Sequence, residues 1–326
     1  MSIGSVEPAA VEPGASTDAV TVDRALPADQ RPLTVVNAKV RIRQRLKDIW
    51  ANRELLVLLV RTDLKIKYKS SVLGYLWSML NPALVLAIYF VIFNIISKNG
   101  IPQFAIWLFS GLLVWNLFNN AAMTSTGVVV GRAGIVKKVA FPRELLALST
   151  VGVSLVLFAI QVGVLILALL VFSHTPAWGF LILLPVAVVA LVIFTSAISI
   201  FLSAVNVYLR DTAHLTEVLL MAWFWSLPIV YPYGQISGRL GILKYVYMAD
   251  PVTPIAMIFQ RAIYGKTTYV YPAAGLPGSA THELLPSWGL GIYGLLLVGV
   301  VIVSVVLFFV AMVIFGRLEG NFAEEL

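Results

Sequence analysis

Six long apolar stretches, separated by short polar segments, dominate the pattern of hydrophobic and polar positions along this chain. Each is about 20 residues or longer, the length that an α-helix needs to cross a hydrocarbon core about 30 Å thick. Pro185 and Pro228 lie inside two of them and predict local kinks. The stretches cover residues 72–97, 102–130, 145–172, 178–208, 213–232 and 287–316. The pattern predicts an all-α polytopic membrane protein with six transmembrane helices.

The segment 39–71, directly before the first apolar stretch, alternates apolar and basic positions at helical spacing. Leu56, Val60 and Leu64 share one face, and cations occupy the other. A helix of this kind is typical of the membrane surface, and we expect a break near Asn52. The residues assigned to this interface helix are Arg61, Asp63, Lys65, Lys67, Tyr68 and Lys69. Residues 1–38, rich in Pro, Ala, Gly, Ser and acids, predict a disordered cytoplasmic tail.

Composition supports membrane insertion, and the distribution of charge predicts orientation. Hydrophobic residues make up 60% of the chain and charged residues 12%, against about 25% charged in soluble domains. With the N-terminus inside, eighteen Lys and Arg residues lie on the cytoplasmic side and five outside. This bias predicts that both termini, including 317–326, are cytoplasmic. The net charge of +7 comes from cations beside the spans, which favours contact with anionic lipid over binding to nucleic acid.

The segment 233–286, between the fifth and sixth spans, is predicted to lie outside. It contains two apolar pieces, Leu240–Met248 and Val252–Ile263, that are too short to cross a bilayer. Pro254 suits a position near a helix start. These lengths predict re-entrant or surface helices. An alternative interpretation is an external cap that only packs against the spans.

No catalytic constellation or metal site is predicted. The chain has no cysteine, and its histidines and external acids are scattered rather than grouped. The residues concerned are His174, His214, His282, Asp250 and Glu283. The stretch Gly265–Thr267 resembles the end of a phosphate-binding loop, but Gln260 stands where that motif requires glycine. We therefore expect no cofactor in this chain.

The predicted spans carry no Asp, Glu, His, Lys or Arg in their central portions, where ion-driven carriers usually place such residues. This absence favours a separate motor subunit that binds ATP and Mg²⁺ and needs a contact on the cytoplasmic face. The segment 131–144 is the first candidate, with a predicted short helix over 135–141 whose Val136, Val139 and Phe141 form an apolar face. Its assigned residues are Ile135, Val136, Lys137, Lys138, Val139, Phe141, Pro142, Arg143 and Glu144. A basic loop that only sets topology is the alternative.

The stretch 206–211 is a second candidate contact, because it joins spans four and five almost without a loop. Its charged residues are Arg210 and Asp211. A simple local ion pair between them explains this stretch nearly as well as a partner contact does.

Four stretches carry a resemblance to a known family. They are RTDLKIKYKSSVLGYLWSMLNP (61–82), IVKKVAFPRELLALS (135–149), NVYLRD (206–211) and DPVTPIAMIFQRAIYG (250–265). In this order they resemble the membrane subunits of type-2 ABC exporters that export lipid-linked polysaccharides such as O antigens, teichoic acids and galactan. The resemblance runs from about residue 40 to the end.

The resemblance implies that the chain is a permease subunit in the bacterial cytoplasmic membrane. It further implies a homodimer with two ATPase subunits, a coupling helix at 131–144, and short gate helices at the outer mouth in 233–286. Two alternatives stay open. One is a membrane glycosyltransferase or acyltransferase, and the other is a type-2 ABC exporter of drugs or small lipids.

Aromatic residues predict a path for the glycan, because flat rings with polar tips let sugar rings slide. The same residue types also gather at the bilayer interfaces of most membrane proteins, which is the alternative interpretation. The candidate path and gate residues are Trp77, Tyr89, Trp107, Trp115, Trp223, Trp225, Tyr231, Tyr233, Asp250, Pro251 and Arg261.

Overall fold

In a computed structural model of the protein, the described residues are 42–69, 76–96, 101–234, 241, 243–271 and 280–326. The predicted tail 1–38 lies outside the described residues. So do the two ends of the predicted interface segment 39–71, and so do the ends of the first predicted span.

Helices account for most of the described chain. It begins with α1 (Ile42–Ala51), α2 (Arg53–Lys67) and α3 (Leu76–Phe90), and α3 continues as a π-helix over Val91–Ile96. Next come α4 (Phe104–Thr126), the one-turn helices α5 (Val128–Gly131) and α6 (Ala133–Val136), and α7 (Glu144–Val171). The one-turn α8 (Trp178–Leu181), α9 (Leu183–Tyr208) and α10 (Thr212–Ser226) follow. We refer to the end of this bundle that carries residues 131–144 as the inner end, and to the opposite one as the outer end.

The last part of the chain contains α11 (Leu243–Ala249), α12 (Val252–Ile263), α13 (Leu290–Leu318), a 3₁₀ turn (Glu319–Asn321) and α14 (Phe322–Glu325). Between α12 and α13, strands β1 (Thr268–Tyr271) and β2 (Ala280–Glu283) pair antiparallel, with Thr268 opposite Glu283. The predicted helical class is correct, and this hairpin is an addition that the sequence pattern did not indicate.

Four helical segments are long and apolar enough to cross a membrane. They are Phe104–Thr126, Glu144–Val171, Trp178–Tyr208 and Leu290–Asn321. These segments coincide with the second, third, fourth and sixth predicted spans. A total of six spans stays a prediction.

The fifth predicted span, 213–232, is not one continuous helix. Helix α10 ends at Ser226 after 15 residues, and Leu227 is extended, with φ −83° and ψ 145°. Pro228 explains this end, because a proline disfavours helical geometry in the residue before it. At 1.5 Å per residue, α10 spans about 22 Å, less than a hydrocarbon core about 30 Å thick.

Helix α12 contacts the chain just after the end of α10. All of its residues except Arg261 are buried, against α4, α9 and α13. Gln260 is fully buried, and its Nε2 donates to the carbonyl oxygen of Pro228 at 3.1 Å. Gly111 on α4 makes room, since a Cβ there would lie 2.9 Å from Gln260 Nε2. Irregular backbone is tolerated at membrane depth where protein buries it, so the burial of α12 favours a re-entrant over a surface position.

The predicted break in the N-terminal segment is found at Asn52, between α1 and α2, where Asn52 Nδ2 donates to the carbonyl oxygen of Asp48 at 2.8 Å. Helix α2 packs along α7, with Val60 lying over Gly152. Leu56, Val60 and Leu64, which the sequence assigned to a membrane-facing side, are half-buried. The apolar face of α2 therefore lies partly on protein.

We expect Gly152→Ala to lower the free energy of unfolding by about 1–3 kcal/mol, the usual cost of overpacking. The reason is that the new Cβ would lie 2.6 Å from Val60 Cγ2. Thermal unfolding of the purified protein measures the change. Gly163→Ala on the same helix is the control, because no atom lies within 4 Å of its added Cβ. If both variants gained stability, as alanine gives in an open helix position, the described α2–α7 contact would be wrong.

Two buried apolar clusters stabilise the bundle. The larger surrounds α4, the most buried of the four candidate spans, and includes Trp107, Phe118 and Phe194. The smaller lies at the inner end and joins α9, α13 and residues around 131–144 through Val136, Ile200 and Phe315. Helices α9 and α13 pack closely, with the small residues Ser199 and Ser304 fully buried. Small residues allow such close approach.

Candidate functional site

The segment 131–144 projects from the inner end between α4 and α7. Ile135 and Val139 are 47% and 55% exposed, and Lys137 and Lys138 beside them are exposed as well. Val136, by contrast, is buried in the inner cluster. An exposed surface with two apolar side chains and two cations between them is suited to the groove of a partner protein.

The structure corrects the predicted helix within this segment. It covers Ala133–Val136 rather than 135–141, and residues 137–138 form a turn. Pro142 disfavours helical geometry at Phe141, so the helix does not reach its predicted end. The exposed apolar surface is also different. We expected Val136, Val139 and Phe141 to form it, but Val136 is buried and Phe141 packs against the inner cluster.

A charge network anchors the C-terminal end of this segment. Arg45 on α1 forms an ion pair with Glu144, which is only 1% exposed, and its Nη2 lies 2.7 Å from Glu319 Oε2. Arg143 Nη1 donates to the carbonyl oxygen of Glu319 at 2.9 Å. Residues from α1, from the start of α7 and from the 3₁₀ turn after α13 thus meet at the C-terminal end of segment 131–144.

The C-terminal residues complete this anchor. Phe322 is fully buried against Phe315 and Tyr208, with ring centroids 5.4 and 6.1 Å away. The Arg143 guanidinium lies 5.8 Å from the centroid of the Phe322 ring. Tyr208 donates to the carbonyl oxygen of Leu318 at 2.6 Å. These contacts fix residues 319–326 beside the base of the projecting segment.

The second predicted contact, around Arg210 and Asp211, is an exposed turn between α9 and α10. Within the described part of the chain these two residues form no ion pair. The local-pair interpretation is therefore not supported. Contact with a partner at this turn stays a prediction.

The predicted interface residues divide into two groups. Asp63 turns inward and forms an ion pair with Arg132, and Ser149 Oγ lies 3.5 Å from its other oxygen. Tyr68 is half-buried. The cations Arg61, Lys65, Lys67 and Lys69 are exposed. Asp63 thus links the interface helix to the start of segment 131–144.

Six of the predicted path residues lie near the outer end, around the start of α12: Trp223, Trp225, Tyr231, Tyr233, Asp250 and Pro251, of which Trp225 is exposed and Pro251 buried. Tyr233 is buried, with its ring centroid 6.1 Å from that of Tyr247, and Tyr231 donates to the carbonyl oxygen of Trp225 at 2.7 Å. Asp250 accepts hydrogen bonds from the backbone N–H groups of Val252 and Thr253, at 3.3 and 3.1 Å. Asp250 therefore caps the N-terminal end of α12.

Burial raises the pKa of the Asp250 carboxyl, although hydrogen bonds from Thr253 and Trp223 oppose this shift. A carboxyl with a raised pKa in the folded state stabilises the fold most at low pH, and this contribution is lost as the pH rises through the folded-state pKa.

Asp250→Ala should cost about 1 kcal/mol because the cap is lost, whereas Asp250→Asn keeps an acceptor and should cost less. Asp250→Asn should also flatten the pH dependence of stability above about pH 4, the ordinary pKa of an aspartate. Thermal unfolding across a pH series measures both effects. Equal destabilisation by Ala and Asn would contradict the capping role.

The other path residues are dispersed. Trp107 is fully buried and Trp115 nearly so, which favours packing over contact with a substrate. Trp77 is exposed, and Tyr89 is half-buried beside Phe93. The Arg261 guanidinium lies 4.4 Å from the centroid of the Phe180 ring. The structure does not align these side chains along one surface.

The sequence analysis missed a polar stripe within the candidate spans. Asn116 Nδ2 on α4 donates to Gln161 Oε1 on α7 at 3.2 Å, and Asn120 and Thr124 are exposed on the inner half of α4. The spacing of Asn116, Asn120 and Thr124 at intervals of four would have revealed one polar helix face. These side chains carry no charge, so the charge pattern of the spans does not reveal this face.

Comparison with known proteins identifies the family. The model of the family described as ABC-2 type transporter matches residues 54–264, which run from the start of α2 to the end of α12. The chain belongs to the ABC-2 type transporter family. The resemblance drawn from the four sequence stretches is thereby confirmed.

Three relatives of this ABC-2 transporter chain are each named O-antigen export system permease protein RfbA. Two are from Klebsiella pneumoniae. One is 32% identical over 219 residues, which are 67% of this chain and 83% of the relative; the other is 32% identical over 211 residues, 64% and 82% respectively. The third, from Myxococcus xanthus, is 28% identical over 218 residues, 67% and 83%.

Membership of the ABC-2 family makes the chain a membrane subunit of a transporter rather than a catalytic enzyme. It also implies a partner subunit that binds ATP.

Proposed function

We propose that this chain is the permease subunit of an ATP-driven exporter that moves a lipid-linked polysaccharide outward across the bacterial inner membrane. The observation that carries the proposal is the similarity, over about two thirds of the chain, to permeases named for O-antigen export. Two copies of the chain pair with two ATPase subunits, which hold the ATP and Mg²⁺. Both termini lie in the cytoplasm.

The proposed mechanism starts at the inner end. Closure of the ATPase subunits on ATP pushes the exposed surface of Ile135, Lys137, Lys138 and Val139. The charge network of Arg45, Glu144 and Glu319 ties this segment to α1, α7 and the C-terminus, so the push reaches several elements at once. The spans of the two copies then part, and the outer segment with α11 and α12 serves as the gate through which the glycan leaves.

Co-purification followed by glycan analysis tests the substrate class. The chain is purified with its ATPase from its own cells, and the bound lipids are extracted and analysed. We expect a polysaccharide on a lipid carrier, which accumulates on the cytoplasmic side when the chain is depleted. A purified chain that extends a lipid-linked acceptor by itself would support a glycosyltransferase instead. ATP-driven transport of dyes or small lipids without any bound glycan would also overturn the proposal.

A further inference from the structure

A polar cavity lies in the inner half of the bundle between α2, α3, α4 and α7. It consists of two adjoining hollows of about 300 and 310 Å³ that share Lys67, Asn120 and Leu157. The other polar lining residues are Asp63, Thr124, Arg132, Thr150 and Ser154 in the first hollow and Tyr68, Trp77, Asn81 and Gln161 in the second. We call this space the inner cavity.

The polar groups of the inner cavity are unsuited to contact with hydrocarbon. Asn120 and Thr124 are exposed on a candidate span, and burial of such groups without hydrogen bonds is unfavourable. The cavity must therefore hold water or a polar ligand. Its combined volume falls in the range of about 300–1,000 Å³ that is typical of small-molecule sites.

The charges in the inner cavity select an anion. Arg132 and Lys67 line it, and Asp63 is the one carboxylate among its lining residues. Arg132 pairs with Asp63 through Nη2 alone. Its Nη1 is buried, with no hydrogen-bond partner among the described residues. A planar guanidinium fork with free N–H donors matches the oxygens of a phosphate.

The position of the inner cavity suits a lipid head group rather than a free ion. Lys67 is the last residue of α2, whose exposed face carries the cations Arg61 and Lys65. Trp77, with a large apolar ring and a polar tip, lines the same hollow as Lys67, and such residues favour the membrane–water boundary. A phosphate at this level can enter the cavity while its lipid chains stay in the bilayer.

We propose that the inner cavity binds the phosphate-bearing head group of a lipid through Arg132 and Lys67. Resting on the proposed function, the inference assigns this lipid to the exporter's own lipid-linked substrate. The phosphate binds the free side of the Arg132 guanidinium and competes with Asp63 for its positive charge. The carbonyl oxygen of Arg132 accepts hydrogen bonds from the N–H groups of Ile135 and Val136, at 2.9 and 3.1 Å. Binding of the phosphate at Arg132 is therefore transmitted to segment 131–144, which carries the proposed contact with the ATPase.

Binding of phosphatidic acid by the full chain tests the proposal. The chain is placed in phosphatidylcholine nanodiscs that contain phosphatidic acid as probe, and bound lipid is counted by native mass spectrometry. Arg132→Gln should weaken binding about tenfold, which corresponds to about 1.4 kcal/mol. Lys67→Gln should weaken it as well. Lys47→Gln is the control, because Lys47 is an exposed cation on α1 outside the cavity lining, and it should leave binding largely unchanged.

Asp63→Asn gives the sharpest result, because it separates ligand binding from a structural role. Asp63→Asn and Arg132→Gln both break the same ion pair. If the pair only holds α2 to the bundle, both variants lose phosphatidic acid together, and the proposal fails. If Arg132 is the phosphate ligand and Asp63 its competitor, Asp63→Asn binds the probe more tightly than the unmodified chain.

Inorganic pyrophosphate distinguishes a lipid site from a site for free phosphate. It should displace phosphatidic acid poorly, and equal competition at the same concentration would overturn the lipid assignment. These measurements need neither ATPase nor glycan, so they fail or succeed separately from the proposed function. A chain that exports polysaccharide but binds phosphatidic acid equally well after Arg132→Gln would refute the inference alone.

Discussion

Replacing Lys137 and Lys138 together by Glu should reduce polysaccharide export about tenfold or more, while the protein still inserts and folds. Both side chains are exposed at the inner end, and neither forms an ion pair in the described part of the chain. Like charges brought together at an interface are strongly unfavourable, and each factor of ten corresponds to about 1.4 kcal/mol. Export is measured as polysaccharide at the cell surface, and folding as the thermal unfolding of the purified chain.

Reversal of Arg43 and Lys47 to Glu provides the control for this prediction. Both are exposed cations on α1, on the same predicted side of the membrane, and neither forms an ion pair in the described part of the chain. The control should retain most of the export activity. Normal export by the Lys137 and Lys138 variant would count heavily against the coupling role of this segment.

Arg45→Met should destabilise the protein by about 3 kcal/mol, the lower end of the cost of breaking a buried ion pair. The change leaves the carboxylate of Glu144, only 1% exposed, without its cation and close to Glu319. Methionine keeps much of the apolar length of arginine, so the loss reports mainly on charge. Thermal or chemical unfolding of the purified protein measures it.

A second substitution makes this prediction specific to the charge network. Adding Glu144→Gln to Arg45→Met removes the uncompensated charge and should restore much of the stability. Arg43→Met, at an exposed position on the same helix, should cost little. If Arg45→Met behaved like Arg43→Met, the network could not be the anchor of the projecting segment.

The sequence predicted those elements whose pattern is local. The apolar piece Val252–Ile263 became a helix with the same bounds, and the break at Asn52 and the four longest spans were located correctly. Length and periodicity are sufficient for such features, because they depend on neighbouring residues.

The features that the sequence could not predict depend on contacts between distant parts of the chain or on the residue at which a helix ends. Arg45 and Glu144 are 99 positions apart in the chain, and Arg132 and Asp63 are 69 apart. No local sequence pattern therefore indicates either ion pair. Trp107 was assigned to the glycan path, but it is fully buried. A tryptophan in an apolar span gives no sign in the sequence of which helix face it occupies. The prediction of a helix over 135–141 was wrong: the helix ends at Val136, and Pro142 disfavours helical geometry at Phe141.

The central claim is that this chain contains no motor and is driven by a separate ATPase. Reconstitution of the chain into vesicles, with and without its ATPase subunit, tests this claim most directly when ATP hydrolysis and lipid-linked polysaccharide transport are recorded together. We predict that the chain alone does neither and that both activities appear when the ATPase is added. ATP hydrolysis or ATP-driven glycan transport by the chain alone would contradict the account.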